Sequence, residues 1–130
     1  MQFSGTNDFS STSVTTPAIQ QAIVATELVY QTETVRENIA LGARNHVFIN
    51  LPDLGTFLSP GSGSVASLAS QGSAQVNAGM LANLTALHQQ SGVNIHYVAN
   101  VLLVNEIRAN PLAYGFSVAG VKPNTVHLGI

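Results

Sequence analysis

The sequence predicts an α/β fold in which helices pack on a parallel sheet, and three observations support that prediction. Residues 47–51 (VFINL) are apolar except for Asn50 and are rich in β-branched and aromatic types, which is typical of a short strand buried on both faces. Long helix-like segments lie on either side of this run. A second strand-like run, residues 93–98, follows the second helix. This alternation implies parallel strands joined by right-handed crossovers.

The first long helix is predicted to begin at Pro17, because proline favours the first helical turn, with Thr15 or Thr16 as the N-cap. Apolar residues then recur at helical intervals until residues 41–42, where a glycine provides a stop. The recurring residues are Ile19, Ile23, Tyr30, Val35 and Ile39. We expect one long helix with a weak point at residues 31–32, since threonine lowers helix propensity.

The remaining elements are assigned in the same way. In chain order they are a loop over residues 52–64, a helix over residues 65–90, a strand over residues 93–98 and a short helix over residues 100–109. The second helix carries apolar residues at spacings of three and four, namely Val76, Met80, Leu84 and Leu87. Gly92 ends that helix, and residues 110–111 (NP) halt the last one. With the end of a strand at residues 3–5, the predicted order is βαβαβα.

Composition limits the possible functions. The 130 residues are expected to form a single domain over residues 1–130, and only 8% of them are charged, against about 25% in an average soluble domain. Four Lys and Arg residues and a net charge of −2 leave no basic patch for phosphates, so we expect no nucleic-acid partner. A neutral surface rich in hydroxyl and amide groups favours a secreted or extracellular parent protein, although the chain as given shows no signal peptide.

Several kinds of site are not expected. The chain has no cysteine, which excludes disulfides, thiolate metal sites and a cysteine nucleophile. His46, His88 and His96 lack ligand-like spacing, so we expect neither a metal nor another cofactor. No apolar run approaches the ~20 residues that a membrane-spanning helix requires.

Four segments follow one another in a recognisable order. They are residues 4–8 (SGTND), residues 41–55 (LGARNHVFINLPDLG), residues 76–87 with an asparagine followed by leucines, and residues 110–116 (NPLAYGF). Together they resemble the GDSL esterase and lipase family, also called the SGNH hydrolases. The resemblance covers about residues 3–117. It implies a three-layer parallel sheet flanked by helices, flavodoxin-like in arrangement and lacking the first strands.

The resemblance also implies an oxyanion site. Residues 4–8 are similar to the family's third block, Gly-x-Asn-Asp, in which the asparagine donates to the oxyanion, so Asn7 and Gly5 are the expected oxyanion-hole residues. The chemistry agrees, because glycine permits a close approach of the backbone and an asparagine amide can donate to a developing negative charge. One such donor contributes about 3 kcal/mol in comparable sites. The alternative is an ordinary turn in which the asparagine is left-handed.

The family's catalytic serine and base are less well matched. No Gly-Asp-Ser nucleophile block precedes Gly5, and we expect the chain to start in the third block. The family ends with Asp-x-x-His, and here Asn124 stands where the aspartate belongs, three residues before His127. Asparagine can orient an imidazole but cannot stabilise imidazolium as a carboxylate does. His127 is therefore the candidate general base, and a residue of the tail without catalytic role is the alternative.

Two functions remain open. The first is ester hydrolysis of an acyl ester by a GDSL-type serine esterase or lipase, with the isolated chain inactive because its nucleophile block is absent. The second is a non-catalytic α/β remnant that acts as a binding or assembly module. Missing strands would leave an open sheet edge, and such edges pair readily with other chains, so a homo-oligomer is expected. Asp8 and Asp53 are assigned to turn capping rather than to catalysis.

Overall fold

The computed structural model describes residues 5, 8–9, 14–57 and 63–116. In chain order its elements are helix α1 (Pro17–Ala40), strand β1 (Asn45–Ile49), a first 3₁₀ helix (Leu54–Phe57), helix α2 (Gly63–Ser91), strand β2 (Asn94–Val98), helix α3 (Asn100–Ala109) and a second 3₁₀ helix (Pro111–Tyr114). Three α-helices accompany two parallel strands in this part of the chain, which confirms a mixed α/β composition. Of the strand end predicted at residues 3–5, only Gly5 is described.

Local signals at both ends of α1 act as the sequence predicts. The Thr16 hydroxyl accepts a hydrogen bond from the Ile19 amide at 3.2 Å, which makes Thr16 the N-cap. At the other end Gly42 has φ +98° and its amide donates to the Ile39 carbonyl at 3.0 Å. A positive φ of this size suits glycine because it has no Cβ.

The weak point predicted at residues 31–32 is wrong, since α1 runs through it without interruption. Thr32 is buried there. Its hydroxyl accepts from the Asn83 amide at 2.9 Å and donates to the Met80 sulfur at 3.6 Å. Contacts with α2 therefore offset the low helix propensity of threonine, as tertiary packing commonly does.

The two long helices differ in how well their apolar pattern predicts burial. Val76, Met80, Leu84 and Leu87 of α2 are all buried, as predicted. In α1 the predicted face is partly wrong, because Ile19 and Tyr30 are 40% and 69% exposed whereas Gln20 is buried. Polar pairs occupy part of the helix interface instead, such as Gln20 Nε2, which donates to Gln75 Oε1 at 2.9 Å.

The described helices cover one face of the sheet. Phe48 of β1 pairs with Tyr97 of β2 in the parallel register, and their rings stack with centroids 5.7 Å apart. Both join the core formed with α1 and α2. On the opposite face Val47 and Val98 are 36% and 42% exposed. The prediction that the strand over residues 47–51 is buried on both faces is therefore wrong for the described residues, because α1 and α2 pack on the same face of the sheet.

Within the described ranges, no helix is both long enough and apolar enough to cross a membrane. The longest, α2, interrupts its apolar positions with serine, glutamine and asparagine.

Candidate functional site

The predicted oxyanion residues are only partly within the described residues. Gly5 is described, whereas Asn7, Asn124 and His127 lie outside the described ranges, and their assigned roles stay predictions. Gly5 is buried with φ +93°, a conformation that a side chain would strain. The backbone amide of Asp8 donates to the Gly5 carbonyl at 3.3 Å, a hydrogen bond of the kind that closes a four-residue turn.

The Gly5 turn packs against both long helices. A Cβ atom built on Gly5 would lie 2.9 Å from Glu27 Oε2 and 3.4 Å from Gln31 Nε2, both on α1. Phe9, which is 1% exposed, lies against Gly72 of α2, where a Cβ would come within 2.2 Å of its ring. The closest approach to Gly5 is thus made by the ends of flexible polar side chains of α1, and it is the positive φ that favours glycine at this position.

Glu27 has an unusual environment beside this turn. Burial raises the pKa of its carboxyl, the neighbouring Asp8 carboxyl raises it further, and a hydrogen bond from Gln31 opposes both effects. A shallow groove of about 290 Å³ begins at these two carboxyls and runs along α1 over Ile19 and Ile23. The Gly5 turn therefore lies next to an acidic pair and an apolar groove.

We predict that Glu27→Gln raises the melting temperature modestly at pH 7. The glutamine keeps an acceptor for Gln31 but removes a charge that burial and Asp8 disfavour. Because the folded-state pKa of Glu27 is raised from 4.5, its favourable contribution is present below pH 4.5 and is lost as the pH rises through the folded-state pKa. In thermal unfolding measured from pH 3.5 to 7, the difference in melting temperature between the variant and the parent should shrink as the pH falls. The prediction would be contradicted if this difference did not depend on pH, or if the exposed control Glu37→Gln changed the melting temperature by the same amount.

A second cluster lies where β1 and β2 end, the edge at which parallel sheets form their sites. Asn77 of α2 holds the chain just after β1 through two hydrogen bonds. Its Oδ1 accepts from the Leu51 amide and its Nδ2 donates to the Leu51 carbonyl, each at 2.8 Å. Leu51 itself is 2% exposed, so this side chain satisfies two backbone groups that have no access to water.

Asn50 joins the two strands to α3. The backbone amide of Asn50 donates to the Val98 carbonyl at 3.0 Å. Its side-chain Oδ1 accepts from the backbone amide of Val101, also at 3.0 Å. Ala99, at the N-cap of α3, makes no side-chain cap, so Asn50 supplies the missing acceptor from another element. Burial raises the pKa of the Tyr97 hydroxyl nearby, while a hydrogen bond with Asn50 opposes the shift.

The loop after β1 is fastened to the first turns of α2. The Ser70 hydroxyl donates to Asp53 Oδ1 at 2.6 Å, and the buried Ser73 hydroxyl accepts from the Leu54 amide at 3.4 Å. The Asp53 carbonyl accepts from both the amide and the hydroxyl of Thr56. The turn is therefore closed by the Asp53 backbone carbonyl, whereas the Asp53 carboxylate binds Ser70 of α2 and does not cap the turn as the sequence predicts.

Together these elements surround a cavity of about 350 Å³ at the carboxyl edge. Its polar side chains are Asn50, Asp53, Ser70, Ser73, Asn77 and Asn105. A carboxylate that accepts from a serine holds the hydroxyl in place, but it is too weak a base at neutral pH to make that serine nucleophilic without an imidazole. The cavity can therefore position a ligand by hydrogen bonding, and its described walls contain no serine and histidine pair.

The described histidines lie elsewhere. His88 at the end of α2 shares a hydrogen bond of 2.8 Å with the Val93 carbonyl, and His96 is exposed on the uncovered face of the sheet. His46 Nε2 is buried and has no hydrogen-bond partner. Across the described ranges, no three His, Asp or Glu residues come together in a way that could hold a metal ion.

Sequence reasoning missed the structural roles of Asn50, Ser70 and Ser73. The available signal was Asn50 itself, a polar residue inside an apolar run, since a buried amide requires hydrogen-bond partners. Asn77 was noted only for its likeness to a family motif, and nothing in its surroundings indicated that it binds Leu51.

No family model, no curated protein and no solved structure matches the chain.

Proposed function

We propose that this chain is the oxyanion-turn portion of a GDSL-type (SGNH) serine esterase or lipase that cleaves acyl esters. The supporting observation is the turn at Gly5, which is buried, has φ +93° and is closed by the Asp8 amide. Such a turn is what a Gly-x-Asn-Asp block requires of its glycine. The parallel β1–α2–β2 unit that follows is compatible with the three-layer, flavodoxin-like sheet of that family.

In the proposed reaction a serine attacks the ester carbonyl, an alcohol leaves and an acyl-enzyme forms, which water then hydrolyses. Asn7 donates to the oxyanion, with the Gly5 turn placing the backbone beside it. His127, oriented by Asn124, is the proposed base. The 130 residues contain no Gly-Asp-Ser, so the proposal takes the nucleophile from outside them.

The serines of the carboxyl edge do not replace that nucleophile. Ser70 donates to Asp53, and Ser73 donates to the Ser70 carbonyl at 3.1 Å while it accepts from Leu54. Both hydroxyl protons are therefore engaged with acceptors of the fold. The 130-residue chain by itself is accordingly expected to hydrolyse no ester.

A fluorophosphonate distinguishes an activated serine from an ordinary one, because it labels only a serine that a nearby base has made nucleophilic. We predict no adduct by intact-mass analysis of the folded 130-residue chain. One stoichiometric adduct would show that the proposed location of the nucleophile is wrong. Circular dichroism of the same sample is the control for folding.

The catalytic part of the proposal is tested in a longer form of the chain that contains a Gly-Asp-Ser segment encoded upstream. That form should give a single adduct and hydrolyse p-nitrophenyl esters, and Asn7→Ala in it should lower kcat by about 10²–10³-fold. The matched control is Asn38→Ala on the exposed face of α1. Reading the DNA upstream of Met1 is the first step, and a reading frame without such a segment would contradict the proposal.

A second candidate function, a non-catalytic assembly module, is favoured by one observation. The uncovered sheet face exposes Val47 and Val98, and α3 exposes 66% of Leu102. Parallel sheets are normally covered on both faces, so a second copy of the chain could cover this one. Light scattering after size exclusion separates the candidates, because a stable monomer at high concentration counts against assembly.

A further inference from the structure

The cavity at the carboxyl edge of the sheet offers more than structural hydrogen bonds. Its volume of about 350 Å³ is within the range of pockets that hold small ligands, roughly 300–1,000 Å³. Pro52, Ala74 and Val101 give it apolar walls, and Asp53 and Asn105 stand among them. It therefore combines hydrocarbon surface with a few polar groups, which is the usual composition of a ligand site.

The polar groups of the wall differ in how far the fold already uses them. The side-chain amide of Asn77 hydrogen-bonds to both backbone groups of Leu51, and Asn50 Oδ1 accepts from the Val101 amide of α3. The Asp53 carboxylate, in contrast, accepts from Ser70 at Oδ1 alone among the described residues. Its Oδ2 can therefore accept a hydrogen bond from a ligand. The Asn105 side chain is exposed and donates to no described residue. A ligand would thus meet one carboxylate oxygen and one amide that carries both a donor and an acceptor.

The charges around the cavity limit which class of ligand it can bind. No lysine or arginine lines the cavity. The guanidinium of Arg108, the basic residue of α3, hydrogen-bonds to Thr56 and lies 4.5 Å from the centre of the Phe57 ring. An anionic ligand would face Asp53 without a compensating cation, whereas hydroxyl groups can donate to it.

We propose that this cavity binds a neutral polyhydroxyl ligand, a saccharide or a smaller polyol. One ligand hydroxyl donates to Asp53 Oδ2, a second exchanges hydrogen bonds with the Asn105 amide, and the C–H face of the ligand lies on Pro52, Ala74 and Val101. Ser70 and Thr56 hold the Asp53 segment in place before binding, which lowers the ordering cost. The proposal concerns binding alone and does not depend on ester hydrolysis.

The test uses the 130-residue chain labelled with ¹⁵N. Its amide spectrum is recorded during separate titrations with methyl glycosides of glucose, galactose, mannose and xylose, with glycerol, and with glucuronate as the anionic analogue. We expect saturable shifts at the amides of Leu54 and Val101 and at the Asn105 side chain, with a Kd on the order of 1 mM for the best neutral ligand. Glycerol binding as tightly as the glycosides would identify a general polyol site, and weaker glycerol binding would identify a saccharide site.

Variants separate a built site from general surface binding. Asn105→Leu should weaken binding about tenfold, because it removes a hydrogen-bonding partner from the wall, and it lies on an exposed helix face where folding is not at risk. Asp53→Asn should weaken binding and abolish the discrimination against glucuronate. The control Gln89→Leu, on the exposed side of α2, should bind as the parent does. The absence of saturable shifts for every neutral ligand, equal binding of glucuronate, or indifference to Asn105→Leu would each overturn the proposal.

Discussion

Replacing Gly55 by alanine is expected to lower the free energy of unfolding by about 3 kcal/mol, the upper range for overpacking a closely packed site. A Cβ at this position would lie 2.1 Å from the Ala66 carbonyl oxygen and 2.2 Å from Ser70 Oγ. The first of these atoms belongs to the backbone of α2 and cannot move without distorting the helix. Accommodating the methyl group would push the first 3₁₀ helix away from α2 and disturb the Ser70 bond to Asp53.

The matched control is Gly79→Ala in the middle of α2. Its Cβ would lie 2.6 Å from Leu28 Cδ2, the end of a flexible side chain that can change rotamer. Alanine also gains up to about 1 kcal/mol of helix propensity over glycine, so the net change should stay within about 1 kcal/mol of zero. Urea unfolding followed by circular dichroism measures both variants. Equal stability of Gly55→Ala and the parent would show that the loop after β1 does not pack on α2 as described.

The second large effect is expected for Asn77→Leu, which should cost about 3 kcal/mol of unfolding free energy. The substitution removes both hydrogen bonds to Leu51, each 2.8 Å long. It leaves a buried amide and a buried carbonyl without partners, and each such group costs about 1–3 kcal/mol. Leucine at this position also meets the polar edge of the cavity and gains little apolar burial. Gln89→Leu, an exposed amide-to-leucine change on the same helix, is the control and should have little effect.

Asn77→Asp tests the same pair of bonds through pH. An ionised carboxylate accepts from the Leu51 amide but cannot donate to the Leu51 carbonyl, whereas the protonated form can do both. Burial and the facing carbonyl therefore raise the folded-state pKa of the introduced carboxyl above the ordinary aspartate value of about 3.9. Relative to the parent, the variant should be most stable below about pH 4 and should lose stability as the pH rises through the folded-state pKa. A stability difference from the parent that does not change with pH would contradict the two-bond arrangement.

The helix ends were the most predictable part of the fold, whereas β1 begins and ends two residues before the predicted strand over residues 47–51. Thr16 and Pro17 start α1, Gly42 follows its end, Gly92 follows α2, and α3 occupies residues 100–109 as expected. These signals act within one helical turn through backbone conformation and local hydrogen bonds. They do not depend on the rest of the molecule, and this is why they can be predicted from the sequence.

Burial was predictable where apolar residues alone decide it. The stripe at Val76, Met80, Leu84 and Leu87 of α2 is buried because hydrocarbon side chains have no other favourable place. The face of α1 was not predictable from the same rule, since Gln31 is buried through its hydrogen bond to Glu27 beside Gly5. An amide can be either in water or in the interior, and its partners decide which.

The sequence by itself therefore determined the class of fold, the parallel pairing of its two described strands and a tight turn at Gly5. Only the tertiary structure decided which face of the sheet is covered and what the carboxyl edge contains. There, Asn50 bonds to Val101 and Asn77 bonds to Leu51, pairs separated by 51 and 26 residues. Short-range conformational preferences are written in consecutive residues, whereas the partner of a buried polar group depends on which distant segments the topology brings together.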